Sequence, residues 1–356
     1  MNTTHTISKE LETMLIDFYS MPAEKRYTTD YWINTINNQR IAQLITSGYE
    51  NFGHTLAIEY CAWYDNPTEP NISKLTSSRL DFLIRHLSKH EVANAKKLAK
   101  RIPVSPYTVK EYNLITLLIW QYVKNQGLQK ESEILSESME GNPPAIHFEG
   151  RLISQGLAHS FLEYDTIRKN AHINSIKSTM SIGPGYGRTT YVLQRLLNIQ
   201  KSILVDVPPA LYIAQRYLGN LLPEKKIFKY RKFTSFAKIE KEFQNAEIVF
   251  LMPWQIELLP EKCVDLILAI DSFDDNMNMK AIKKYLKYIG ILGKHYFYLK
   301  CWKEWKNEDG IIKWGGGKKL SHTDKLGNPG KSQLQGTNRF FLDFIPIARM
   351  QLVRMF

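Results

Sequence analysis

Strand alternating with helix over residues 179–299 predicts an α/β protein, a doubly wound parallel sheet preceded by a helical amino-terminal domain. Three observations predict it. Short apolar or aromatic runs recur at Thr179–Ile182, Ile203–Val205, Ile248–Met252, Val264–Ile270 and His295–Leu299. Segments with apolar residues at helical spacing separate most of them, as in a chain that returns to a parallel sheet through crossover helices. Residues 1–142 show helical periodicity and little strand pattern.

The unit from Thr179 to Asp206 organises the rest. A β-rich run meets a loop carrying Gly183, Gly185 and Gly187, then a helical pattern (Tyr191, Leu193, Leu196, Leu197), then the strand Ile203–Val205 closed by Asp206. A loop without Cβ atoms turns sharply and lets a ligand lie against main chain at a helix N-terminus. An acid about 20 residues downstream, at the end of the second strand, can accept both hydroxyls of a ribose. A nucleoside-bearing cofactor is therefore the first hypothesis, against a purely structural glycine turn. The Rossmann-like context gives the glycines more weight than they have alone.

Size and composition set bounds. The chain has 356 residues, 44% hydrophobic and 23% charged, with room for two domains and a sizeable core. No stretch of about 18 apolar residues is present to cross a bilayer, and the amino terminus lacks the pattern of a secretory signal, so the expected location is cytoplasmic. Cys61, Cys263 and Cys301 are odd in number and far apart, which indicates neither a disulfide framework nor a zinc knuckle. The net charge of +12 suits a polyanion or an anionic substrate. No nucleic-acid module accompanies it.

In the first 142 residues, Leu80, Leu83, Ile84 and Leu87 mark one face of a helix that continues toward Lys96, Lys97 and Lys100. Pro103 and Pro106 end it, because proline lacks an amide donor and forces its predecessor out of helical geometry. Tyr112–Val123 is apolar nearly all round, which fits a buried core helix or a homodimer helix. Gly141-Asn142-Pro143-Pro144 reads as a linker, placing a domain boundary at 142/143.

Past that boundary, a helix over Ile153–Ile167 carries Ser154, Gln155, His159 and Glu163 toward the ligand crevice or toward solvent. Pro208 and Pro209 suit the first turn of the helix after Asp206. A further helix is expected around Ala237–Phe243, and another over Lys280–Ile289. In a doubly wound sheet ligands sit at the carboxyl ends of the strands, so Asp206, Trp254, Asp271, Asp274, Asp275 and Lys300 should share one rim. His295, at the entry of its strand, belongs on the opposite side. From Cys301 to Asn338 apolar periodicity disappears, and Lys294–Lys331 holds nine lysines against four carboxylates. That stretch, about 302–338, reads as a basic lid loop or an unstructured insert. Phe340–Phe356 alternates well enough for closing strands.

Four stretches in order, GRLISQGLAHSFLEYDTI, SIGPGYGR, LVDVPPALYIAQRYLGNLLP and FLMPWQIELLPEKCVDLILAIDSFDD, resemble the class I S-adenosylmethionine-dependent methyltransferases, and within them the sugar O-methyltransferases. The resemblance covers about residues 141–300. It implies a class I methyltransferase sheet over residues 143–356, a helical domain over 1–142 making substrate or oligomer contacts, and S-adenosyl-L-methionine as cofactor. Carried over by position, Gly183, Gly185 and Gly187 would face the methionine portion and Asp206 the ribose, with Ser181 and Val207 also among the cofactor-binding residues. Pro253 and Trp254 would border the adenine, and Asp271, Ser272 and Phe273 the sulfonium. Ser181 stands where such proteins usually carry an acid, and Gly156 replaces another acid of the pattern.

Methyl transfer needs a base for the acceptor hydroxyl. Asp275 is the first choice, Asp274 the second and His322 the third. Asp271, Asp274 and Asp275 could also gather a divalent cation, which the spacing alone does not favour. The expected acceptor is a sugar within a cell-surface glycan or its precursor, not nucleic acid. The runner-up is a nicotinamide-dependent oxidoreductase using the same glycines and acid, and the third reading is a non-enzymatic scaffold.

Overall fold

The computed structural model describes residues 8–28, 33, 38–55, 80–103, 112–273 and 279–300, with the short pieces 305–306, 313–314 and 351–354. Its helices include α1 (Lys9–Ser20), α2 (Asn38–Ser47), α3 (Lys89–Ala99), α4 (Tyr112–Val123), α5 (Gln155–Asn170), α6 (Arg188–Leu196), α7 (Pro208–Leu221) and α8 (Met279–Leu292). The main sheet contains β1 (Ser178–Ile182), β2 (Lys201–Val205), β3 (Ile227–Phe228), β4 (Ile248–Leu251), β5 (Val264–Ile270), β6 (Gly293–Lys300) and β7 (Gln351–Arg354).

The strand order is β7-β6-β5-β1-β2-β4-β3. The first six strands in sequence run parallel, and β7 pairs antiparallel with β6 at the edge. This is the doubly wound α/β arrangement expected. The chain winds one way from β1 through β2, then returns to the other side of β1 with β5, so β1 and β5 flank the switch point where such sheets open a crevice. β1 and β2 pair Ile182 with Val205, which brings Gly183 and Asp206 to the same edge.

The two faces of the sheet carry different layers. Alternate side chains of a strand point to opposite faces: Ile267 and Ala269 join α1, α7 and α8 in one core, while Leu266 and Leu268 join α4, α5 and α6 in the other. On the α6 side a polar layer interrupts the packing. Thr179 and Ser202 hydroxyls lie 3.0 Å apart, and the Gln194 amide donates to Ser202 Oγ at 2.8 Å.

The Gly141–Pro144 segment separates stretches of chain but divides neither core. Leu11 to Phe52 pack into one core with β1, β2 and β4, and Phe82 to Leu135 into the other with β5 and β6. The segment is itself a fixed turn. Gly141 (φ 74°) accepts from the Gly53 amide at 2.6 Å, and Tyr112 Oη donates to the Pro144 carbonyl at 2.5 Å. Ten of the twelve residues of α4 are buried, so the core consumes the helix that could have served a dimer.

Several boundaries differ from expectation for local reasons. The helix expected from Leu80 through Lys100 is two helices, because Ser88 caps α3 through a reciprocal box with Glu91 that needs a non-helical residue at position 88. The helix expected from Ile153 begins at Gln155, since Ile153 pairs with Ile146 in a short ribbon and Ser154 Oγ accepts from the Leu157 amide. Within the expected lid, Trp305–Lys306 pairs antiparallel with Lys313–Trp314. The remainder of the lid and the rest of 340–356, apart from β7, lie outside the described residues. Among the described residues no helix is long and apolar enough to cross a membrane.

Candidate functional site

A crevice opens at the carboxyl ends of β1, β2 and β5. It is lined by Ile182, Gly183, Gly185, Val205, Asp206, Val207, Asp271 and Ser272. Tyr27, Thr28 and Arg40 from the amino-terminal region and Tyr285 from α8 complete it.

Two glycines are required by different contacts. Gly183 has φ 63°, and a Cβ there would stand 2.5 Å from Ser272 Cβ, so β1 and the end of β5 approach only because a side chain is missing. Gly185 has φ 60°, and the space a Cβ would enter holds no described atom within 4 Å. Its main chain is therefore bare toward the crevice, as a cradle for a ligand must be. Gly187 caps α6 and is packed close to Leu218 and Leu204 rather than lining the crevice.

Asp206 turns toward the glycine loop. Its carboxylate accepts from the Gly185 amide at 3.1 Å and from the Val207 amide at 2.8 Å. Burial pushes its pKa up to about 6, against the amide hydrogen bonds and the positive charge of Arg40, which favour ionisation. A partly desolvated carboxylate with two donors among the described residues can take more, and a vicinal diol offers two. The residues present thus fit a nucleoside. Arg40 itself is 4% exposed.

At the other end of the crevice, Asp271 adopts φ 52°, a left-handed conformation that Asp tolerates better than most side chains. Behind it lies a buried charge cluster. Lys300 Nζ donates to Glu163 Oε1 at 2.8 Å and stands 3.6 Å from Asp271, and Tyr298 Oη donates to Glu163 Oε2. Burial works against the lysine's charge, but Asp271 and Glu163 overcome it and hold the pKa above its usual value. Glu163 reaches this rim from α5 and is 3% exposed, so it serves the cluster and not solvent.

The other expected site residues occupy varied places. Ser181 is buried in the polar layer, its hydroxyl 3.5 Å from that of Thr190. Pro253 and Trp254 are buried, with the indole 6.4 Å from the Phe18 ring, and neither lines the crevice. Phe273 is buried against Tyr285, ring centres 5.6 Å apart. His295 lies at the opposite edge, 3.9 Å from Asp265. Asp274, Asp275 and His322 lie outside the described residues. No group of three or more His, Cys, Asp and Glu among the described residues is placed to hold a metal.

No family model matches the chain, and no curated protein matches it. Solved structures do. The YcgJ protein from Bacillus subtilis is 17% identical over 43% of this chain and 53% of its own, with TM-score 0.29. An S-adenosylmethionine-dependent methyltransferase from Clostridium acetobutylicum is 15% identical over 40% and 49%, TM-score 0.29. Phosphoethanolamine N-methyltransferase 1 from Haemonchus contortus, solved with phosphoethanolamine and S-adenosylhomocysteine, is 15% identical over 53% and 33%, TM-score 0.28. The chain spans about half the length of the first structures it matches. Likenesses this distant carry no argument about chemistry, which rests on the crevice itself.

Sequence reasoning missed Tyr27, Thr28, Arg40 and Tyr285. Tyr285 belongs to a helix that was expected, but no pattern marks which turn of it meets the rim. Tyr27 and Arg40 lie more than 140 residues before the glycine loop, and only the packing of the amino-terminal region onto the sheet brings them there.

Proposed function

We propose that the protein is an S-adenosylmethionine-dependent methyltransferase, and that it methylates a hydroxyl of a sugar. One observation carries the first part: a bare glycine main chain and a largely buried carboxylate face one crevice at the switch point of a doubly wound sheet. The second part follows the sequence resemblance, and the net charge of +12 favours an anionic acceptor such as a phosphorylated or carboxylated glycan.

S-Adenosylmethionine, when bound, supplies an electrophilic methyl group on a sulfonium. The chain's own residues then have separate tasks. Asp206 accepts the ribose hydroxyls, exchanging part of its burial penalty for hydrogen bonds. Gly183 and Gly185 let the ligand lie against the main chain. In-line displacement depends on position, and the buried Lys300, pinned by two acids, fixes the end of β5 where Asp271 turns out of the sheet. Removal of the acceptor's proton is assigned to Asp275, with Asp274 and His322 behind it.

Calorimetry with S-adenosylhomocysteine and with NAD tests the reading. Binding of the first and not the second supports it, preference for NAD replaces it with a reductase, and binding of neither leaves a scaffold. Transfer of labelled methyl from S-adenosylmethionine to a panel of neutral and anionic sugars then tests the acceptor.

A further inference from the structure

The crevice is small for the ligand proposed. Its cavity volume is about 60 Å³, whereas pockets that take small-molecule ligands run to about 300–1,000 Å³. Two of the residues lining it, Tyr27 and Thr28, belong neither to the sheet nor to its crossover helices. They end a strap, residues 21–28, that follows α1.

The strap is tied down on both sides. Lys25 Nζ and Tyr27 Oη both donate to the Glu257 carboxylate, in the turn after β4. On α8, the helix after β5, Lys284 donates to the Glu24 carbonyl, and the Tyr27 ring lies 5.2 Å from Tyr285 and 6.4 Å from Tyr288. In the sheet order β4 and β5 stand on opposite sides of the β1–β2 pair, whose ends line the crevice. Tyr27 is 3% exposed and has φ 54°, a left-handed conformation costly for an aromatic residue that persists only while its surroundings enforce it. Arg26 donates to the Tyr19 and Met21 carbonyls, so the root of the strap is fixed to the end of α1 without help from Glu257.

A strained residue held by a shared carboxylate thus stands in space that a nucleoside needs. Resting on the methyl-donor reading, we propose that the strap is an autoinhibitory lid: the donor binds only when Tyr27 leaves the crevice and gives up its contact with Glu257. Apparent affinity is then the intrinsic affinity reduced by the fraction of molecules whose strap is open, so a weaker latch means tighter donor binding. If Tyr27 were a fixed wall of the site, loosening it would instead weaken binding.

Calorimetry with S-adenosylhomocysteine compares the parent with Glu257→Gln, which removes the charge both donors share, and with Tyr27→Phe, which removes one donor and keeps the ring. Each variant is expected to bind about 3- to 30-fold more tightly, the range for one or two hydrogen bonds lost from the closed form alone. Unchanged or weaker binding in either folded variant overturns the lid. Melting curves check folding. Should neither variant fold, hydrogen exchange of the parent decides: the amides of residues 23–28 must lose protection when S-adenosylhomocysteine saturates the protein, and equal or greater protection overturns the lid. If parent and variants all fail to bind, the methyl-donor reading itself falls, whereas a parent that binds and variants that bind no tighter leave that reading standing and remove only the role of the strap.

Discussion

Asp206→Asn should make the ligand-free protein more stable at neutral pH while removing nucleoside binding. The folded chain raises the Asp206 pKa from 3.8 to about 6. Folding therefore disfavours the ionised form: the penalty is absent below pH 3.8, grows as pH rises, and is complete above about pH 6. At about 1.4 kcal/mol per pKa unit, the full cost is about 3 kcal/mol. At pH 4.5 linkage gives about 1 kcal/mol, so the stability difference between Asp206→Asn and the parent should widen by about 2 kcal/mol between pH 4.5 and pH 7.5. That pH-dependent difference is independent of fixed costs of the amide, such as a weaker hydrogen bond to Gly185. Urea denaturation of both proteins at the two pH values measures it. A nucleoside that hydrogen-bonds the carboxylate should also release a proton on binding near pH 5, seen as buffer-dependent binding heats. A difference that stays flat with pH, or that shrinks as pH rises, would refute the reasoning.

Gly185→Ala should cost about 1–2 kcal/mol of stability, since alanine must adopt φ 60°, and lose S-adenosylhomocysteine binding because its methyl enters the open space of the crevice; unchanged calorimetric affinity counts against the cradle. Lys300→Met strips the counter-charge from Glu163 and Asp271 and should cost about 3–5 kcal/mol in urea, whereas a loss below about 1 kcal/mol would mean the cluster is better hydrated than it looks. Ser88→Ala removes the cap of α3 and should cost about 1 kcal/mol without changing ligand affinity. Asp275→Asn should retain S-adenosylhomocysteine binding and slow methyl transfer by about 10²–10⁴-fold, and unchanged turnover removes Asp275 from the role of base.

Much of the sheet was legible because its signal is local. β5 needs a run of apolar residues that can be buried on both faces, and Val264–Ile270 has one wherever the rest of the chain goes. The glycine loop and Asp206 were legible for the same reason, since the strand-loop-helix-strand spacing brings them together through one β-α-β unit. Boundaries set by competition between neighbours were less visible. Ser88 and Glu91 stop one helix and start another with two hydrogen bonds, and apolar spacing continues smoothly across them. The Gly141–Pro144 turn reads like a linker because turns inside a core use the same residues as flexible connections.

The sequence by itself therefore determined the order of the five longer parallel strands and the helices between them, the glycine cradle and the acid at the end of β2, but not the short edge strand β3 (Ile227–Phe228). Each depends on residues a few turns apart, where spacing and backbone preference suffice. Only the tertiary structure decided that Tyr27 and Arg40 line the crevice, that Glu163 on α5 and Lys300 on β6 form one buried cluster, and that both cores cross residue 142. Those depend on which apolar faces bury each other over separations of 100 residues or more, where contact follows the packing of whole elements and leaves no periodic mark in the chain.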